Sequence, residues 1–304
     1  MKDLSKAKYG LITIDIHSSN RGNRLIEYAV KKMLGLPDPL VQISAFHVPH
    51  ASSLEQMNKM DFVLIPGATI LAKDKNQGLA LDYLDKIKVP RFCVASGGWK
   101  PHFPINEFAL MHIDGPVGVR DLDTIEECKR LGKDYIFTGC PTAFLDSSGP
   151  TSTDKFIIIG YGRKQVPDQK ILFEKVKNYH KLPLVSAIQE PSFEKPIAKA
   201  INTKIFSYDN PEDVYKKYSE CQMVVTGRLH GVLPALSQNK PVVFFGNKKD
   251  SRFGLLSYLQ IPINDVTMNY DKKLVTYAKT YRPKIEELKL NLAEWRKSTI
   301  ETLY

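Results

Sequence analysis

The chain has little of what would fix its class at a glance. It carries four cysteines, Cys93, Cys128, Cys140 and Cys221, and no C-x-x-C pair. Neither a zinc knuckle nor a dithiol redox centre is therefore encoded, and reduced, mostly buried thiols are expected. Long apolar runs are missing too. "FVLIP", "FIIIGY" and "PVVFF" extend for about five to eight residues, against roughly 18 for a bilayer-spanning helix. The opening "MKDLSKAKYG" is polar and has no apolar core of the kind a secretory signal needs, so the expected address is the cytoplasm. There is no G-x-G-x-x-G and no Walker spacing. His17, His47, His50, His102, His112 and His180 show neither H-x-x-x-H nor H-E-x-x-H, which excludes the common motif-borne metal and nucleotide sites, and no metal is expected. Neither an internal repeat nor a low-complexity tract is found.

What is present is charge and rhythm. Forty-three Lys and Arg against 33 Asp and Glu leave +10 in 304 residues, which favours an anionic partner: a phosphorylated metabolite, an anionic membrane surface or nucleic acid. The lysines are dispersed and show no zinc-finger or RNP-like pattern, so nucleic acid ranks last. Strand-like runs alternate with amphipathic helical ones: "KYGLITIDI", "RLIEYAVKKML", "LVQISAFHV", a short helix, "DFVLIP", "LALDYLDKI" as a helix, "RFCVAS", "GPVGVR", "DLDTIEECKRLG" stopped by Gly132, and "DYIFTG". This is the pattern of a parallel, doubly wound sheet. The turn-rich "LDSSGPTSTDK" (145–155) reads as a linker. The rhythm then restarts with "FIIIGYG", a helix from about Asp168, "LPLVSAI", "KIFSY", a helix capped by Asn210 with Pro211 in its first turn, "QMVVTG", "VLPALSQN" and "PVVFF". A long charged helix is expected from about Pro283 to Tyr304.

The fold class read here is α/β, two Rossmann-like doubly wound domains facing across a cleft. Residues 1–148 form the N-terminal domain, 149–265 the C-terminal domain, and 266–304 a helical segment returning to the first. Ligands of such sheets bind beyond the carboxyl ends of strands, where helix N-termini offer free N–H groups and positive partial charge. Three strand-end loops stand out. In "HSSNRGN" (17–23), Asn20, Arg21 and Gly22 can hold an anion beside His17, or form an ordinary turn. In "GPVGVRDLD", Arg120 ends a strand and points a planar guanidinium into the cleft, or pairs with Asp121 or Asp123 at the surface. In "TGRLHG", Arg228, Leu229 and His230 cross a strand-to-helix turn, and a helix N-terminus there disfavours imidazolium; the competing view is a satisfied structural histidine. "ASGGWKPHF" (95–103) places Trp99 either against a sugar ring or as a plug between domains.

Two stretches carry a family resemblance. "GPVGVRDLDTIEECKRLGKDYIFTGCPTAFL" and "CQMVVTGRLHGVLPALSQNKPVVFFGNKKDSRF" together resemble the polysaccharide pyruvyl transferases, with Arg120-Asp121, the Gly139-Cys140 loop, the Arg228-x-His230 segment, the Asn239-Lys240-Pro241 turn and Lys248-Lys249 in the family's order. "SSNRGN" is similar to the family's first loop, although Asn23 stands where an acidic residue is usual. The resemblance implies a glycosyltransferase-B-like fold with no cofactor. Its implied reaction is transfer of a pyruvyl group from phosphoenolpyruvate, the co-substrate, to a sugar or lipid-linked saccharide as a ketal. The roles it suggests are His230 as acid or base, Arg228 on the departing phosphate and Arg120 on the carboxylate, with Asn20, Arg21, Gly22, Leu229, Lys248 and Lys249 completing the binding set. A nucleotide-sugar glycosyltransferase and a non-catalytic binding protein stand as alternatives, and the basic balance is compatible with peripheral contact at the inner face of an anionic membrane.

Overall fold

The computed structural model describes residues 3–13, 20–45, 47–73, 81–98, 104–145, 156–162, 166–267 and 269–304. His17, Trp99 and most of the expected linker lie outside these. In chain order the elements are β1 (Tyr9–Thr13), α1 (Gly22–Leu34), β2 (Val41–Ser44), α2 (Ala51–Met57), β3 (Phe62–Pro66), β4 (Arg91–Val94), α3 (Glu107–Met111), β5 (Val117–Val119), α4 (Leu122–Arg130) and β6 (Tyr135–Phe137). There follow β7 (Ile157–Gly160), α5 (Val166–His180), β8 (Leu184–Ile188), α6 (Pro191–Ala200), β9 (Lys204–Ser207), α7 (Pro211–Ser219), β10 (Met223–Thr226), α8 (Leu229–Ser237), β11 (Val242–Phe245), α9 (Gly254–Tyr258), β12 (Ile263–Asn264) and α10 (Ala278–Ser298). The chain forms two compact units: Met1–Ser18, Ile26–Pro141 and Glu286–Tyr304 make the first, Ser19–Leu25 and Thr142–Ile285 the second. Residues 266–285, which the sequence groups with the C-terminal segment, thus belong to the second unit, as do residues 20–25, which include the first turn of α1.

In the first unit, parallel strands run in the order β2-β1-β3-β4. The parallel pair β5-β6 joins β4 through a Ser96–Val119 bridge. Every residue of β1 and β3 is buried, as expected where helices cover both faces of a parallel sheet. From Glu286 onward α10 packs Leu288, Leu292 and Trp295 into this unit, all at most 2% exposed. Its Trp295 indole N–H donates to the Pro116 carbonyl at 2.9 Å.

The second unit has six parallel strands in the order β9-β8-β7-β10-β11-β12. The chain builds outward from β7 in one direction and from β10 in the other, so the topological switch point lies between those two strands. Asn210 caps α7 through the Glu212 N–H at 3.1 Å, with Pro211 in the first turn, as the sequence predicts.

Two elements differ from expectation. "LALDYLDKI" yields a single 3-10 turn over Leu84–Lys86, because Leu81, Tyr83, Leu84 and Ile87 are all buried and a helical i, i+3 stripe would place Tyr83 on the opposite face. The last long helix begins at Ala278, leaving Pro283 inside it. Burial of Tyr281 and Ile285, together with the Tyr281 hydroxyl bond to the Lys240 carbonyl at 2.8 Å, outweighs the missing proline N–H.

All four cysteines are free and buried. Burial pushes the thiols of Cys93 and Cys221 up to about 12 and that of Cys128 up to about 11, so thiolate is scarce at neutral pH. The native protein is expected to leave all four thiols unreacted with Ellman's reagent over an hour at pH 8 and to titrate four in denaturant. Rapid native labelling would contradict this packing.

Candidate active site

The carboxyl ends of β7, β8 and β10 meet around one side chain, Arg228. β10 is fully buried and ends at Thr226, and the chain must then turn into α8 close beside the end of β7. Gly227 makes that possible: a Cβ there would lie 2.6 Å from Phe245 and 3.1 Å from the Gly162 backbone, so only glycine lets the two main chains approach. The Thr226 hydroxyl accepts the Arg228 N–H at 3.0 Å. Arg228 then occupies the N-cap position of α8, with no side chain capping that helix.

The Arg228 guanidinium is committed on several sides. Its Nε donates to the Tyr161 carbonyl at 2.7 Å and to Glu194 Oε1 at 3.1 Å. Nη1 reaches Glu190 Oε1 at 3.1 Å and Nη2 lies 3.0 Å from Glu194 Oε1. Glu194 is fully buried, and its other oxygen accepts the N–H groups of Gln189 (2.5 Å) and Glu190 (2.8 Å). Burial raises the Glu194 carboxyl above its ordinary value, against the opposing pull of Arg228 and those two N–H groups. Arg228 is therefore clamped between two carboxylates. Its charge is balanced by the loop after β8 and by α6.

The first-loop residues complete the cluster. The Arg21 N–H donates to the Gln189 carbonyl at 3.0 Å, and the Arg21 side chain bonds Ser207 and pairs with the exposed Asp209 at 2.9 Å. Asn20 Oδ1 accepts the Gly22 N–H at 3.0 Å. A Cβ on Gly22 would lie 3.1 Å from Gln189 Oε1 and 3.2 Å from the His230 Cβ. The N-termini of α1 and α8 thus meet at Gly22 and His230, and neither first turn contains an acid. Two positive helix ends beside His230 form a place suited to an anion. Leu229, the first residue of α8, is buried and offers its backbone only. Lys248 and Lys249 are exposed on the turn after β11, at the same edge of the sheet. Asn23 is buried and donates its N–H to the Asn20 carbonyl at 3.1 Å.

Arg120 lies in the first unit and is not a surface group: it is 2% exposed. Its N–H donates to the Ser96 carbonyl at 2.9 Å, and Gly97 leaves room above it, since a Cβ there would meet Asp121 Oδ2 at 1.8 Å and the Arg120 Nη2 at 3.6 Å. Asp121 caps α4 through the Thr124 N–H at 2.9 Å. Burial raises the Asp121 carboxyl, with the Arg120 charge acting the other way. The surface-paired expectation does not hold, because the absent Cβ at Gly97 lets Arg120 and Asp121 sink beneath the 96–98 loop. Arg120 Nε and Asp121 Oδ2 have no hydrogen-bond partner among the described residues, the state of a polar cradle that can still take a ligand.

Residues 20–249 match the polysaccharide pyruvyl transferase family. The chain belongs to that family. Solved structures show the same fold at low identity. A protein described as a UDP-N-acetylglucosamine 2-epimerase from Listeria monocytogenes matches with a TM-score of 0.53 at 13% identity, over 97% of this chain and 91% of that one. AviGT4, a glycosyltransferase involved in avilamycin A biosynthesis, matches with 0.52 at 11% identity over 98% of each. The chain spans 64% of a Thermobaculum terrenum O-GlcNAc transferase mutant, at 10% identity over 98% of this chain and a TM-score of 0.44. No curated protein matches the chain. The fold of this family member is therefore glycosyltransferase-B-like, with a Rossmann-like sheet in each unit.

Gln189, Glu190 and Glu194 escape the sequence reading. Their signal is nonetheless present in "LVSAIQEPSFEKP": two acids four apart, straddling the step from a buried strand to a proline-led helix, place both carboxylates near a strand's carboxyl end. Removing one partner of a buried pair strands the other's charge, at about 3–5 kcal/mol. Glu194→Ala is accordingly expected to lose that much unfolding free energy, and the double variant with Arg228→Ala less than the sum of the singles. Additive losses within about 0.5 kcal/mol would dissolve the clamp.

Proposed function

We propose that this protein transfers the pyruvyl group of phosphoenolpyruvate to a saccharide as a cyclic ketal, with the donor's phosphate at the place where α1 and α8 meet. The observation that carries this reading is the close approach of Gly22 to His230, which brings two helix starts together at that histidine. Phosphoenolpyruvate brings a carboxylate and a phosphate of about −1.5 to −2 charge at neutral pH. The helix N–H groups, Lys248 and Lys249 face the charge that builds on phosphate as it leaves. Arg120, in the first unit, keeps a buried guanidinium nitrogen without a bond among the described residues, and we propose it as a carboxylate-binding group of that unit.

His230 acts as acid or base. A proton added to C3 of the enol makes the methyl group and leaves C2 electrophilic. One sugar hydroxyl adds to C2, the C2–O bond to phosphate breaks, and a second hydroxyl closes the ring. The two hydroxyl protons balance the one gained at C3 and the one carried off by phosphate. Arg228, held by Glu190 and Glu194, fixes the turn from which His230 projects. The family assignment and the two anion-suited places support this reading over a nucleotide-sugar transferase of the same fold or a non-catalytic binding protein.

A thermal-shift series separates them. Phosphoenolpyruvate at 100 times its Kd is expected to stabilise the protein by about 2.7 kcal/mol, and UDP or GDP not to. His230→Ala is expected to keep that stabilisation while losing about 10²- to 10⁴-fold in turnover. Protection by UDP or GDP in place of phosphoenolpyruvate overturns the reading in favour of glycosyl transfer.

A further inference from the structure

The charge of this protein is not shared between its units. The second unit holds 24 Lys and Arg against 13 Asp and Glu, the first 19 against 20. The whole excess of +10 thus resides in one unit, as +11 against −1. Within that unit the topology decides where it collects. All six strands are parallel, so α5, α6 and α7 run back and end at the sheet's amino-terminal edge, the edge away from Arg228 and His230.

Each of those helices ends in lysine: Lys177 in α5, Lys199 in α6, Lys216 and Lys217 in α7. Lysines at helix C-termini favour the dipole, and the first unit has them too, so this alone decides nothing. The second unit adds exposed lysines outside the helices, at Lys181, Lys204, Lys272 and Lys273. Antiparallel pairing of Thr276 with Val242, the first residue of β11, ties the 272–277 segment to the same edge. The acids in these terminal segments are Glu220, which pairs with Lys217, and Asp271, which caps the Lys273 N–H; the segments contain no arginine.

Apolar and aromatic surface accompanies the lysines. Tyr179 and Tyr277 are each 47% exposed, and Ile205, on the edge strand β9, is 39% exposed. Tyr179 packs edge-on against Tyr270 with Lys272 over its ring, and the Tyr270 hydroxyl bonds His180 at 2.5 Å. An open depression of about 580 Å³ lies alongside, lined by Lys177, Asn178, Lys181, Leu182 and Pro183.

We propose that this amino-terminal edge of the second unit docks on an anionic lipid bilayer. Lysines with half-exposed tyrosines suit a headgroup layer, where long stems lie against apolar surface while charges stay in water, and each lysine adds to attraction by anionic lipid. Nucleic acid recognition leans on arginine forks and stacking platforms, whereas these terminal segments carry lysine, and Arg282 nearby is bonded to Asn239. The proposal concerns a different edge of the sheet from the donor chemistry and stands whatever the donor is.

The test is vesicle flotation of the full chain at about 0.1 M NaCl, where the Debye length is about 10 Å. The vesicles are phosphatidylcholine alone or with about 30% phosphatidylglycerol. The wild type is expected to float only with the anionic vesicles and to be released at about 0.5 M NaCl. The variant K177E/K181E/K272E/K273E is expected to bind at least about a hundredfold more weakly, with unchanged circular dichroism. The variant K59E/K86E/K88E/K129E, on the first unit, is expected to bind as wild type. Absence of wild-type flotation, equal loss in both variants, or tighter retention on duplex RNA or DNA than on the vesicles would overturn the proposal.

Discussion

A guanidinium buried among carboxylates organises the functional end of the second unit. Arg228 is only 11% exposed, and Glu194 is fully buried. Such a cluster persists only when the backbone supplies the remaining hydrogen bonds. The Tyr161 carbonyl and the N–H groups of Gln189 and Glu190 do so. Three strand ends are thereby tied together: that of β7 through Tyr161, that of β8 through Gln189 and Glu190, and that of β10 through Arg228 itself. The same loop after β8 receives the Arg21 N–H, which brings Gly22 against His230. The clamp is thus a scaffold for the histidine, and its charge is spent internally.

Arg120 presents the opposite arrangement. It is more deeply buried, the carboxyl beside it is that of Asp121, itself raised by burial, and its Nε has no bond among the described residues. One arginine of the family pattern is ion-paired with two glutamates of another loop and helix, and the other lies beside the aspartate that follows it in the chain. Two residues of one type, each at the carboxyl end of a strand, therefore carry different work, and the difference lies in their neighbours.

The sequence made the two α/β units legible because parallel strands buried on both faces read as unbroken apolar runs, and because caps such as Asn210 and stops such as Gly132 are local signals. The strand-end positions of Arg120, Arg228 and His230 followed from the same rhythm. Partners did not follow. That Glu194 would bond backbone N–H groups four and five residues back and an arginine 34 residues on depends on strand order, which periodicity does not specify. That Arg120 would sink depends on the missing Cβ of Gly97, reached through a bridge between Ser96 and Val119. "LALDYLDKI" misled for a related reason: its apolar residues satisfy helical spacing, but the core accepts Tyr83 as well.

The account rests on an anion meeting His230 where α1 and α8 begin. NMR of protein labelled at histidine, with the His230 signal identified by its loss in His230→Asn, tests this without an acceptor. Titration with phosphoenolpyruvate should shift that signal saturably, and UDP should leave it in place. A His230 signal indifferent to phosphoenolpyruvate, or moved by UDP alone, would contradict the account.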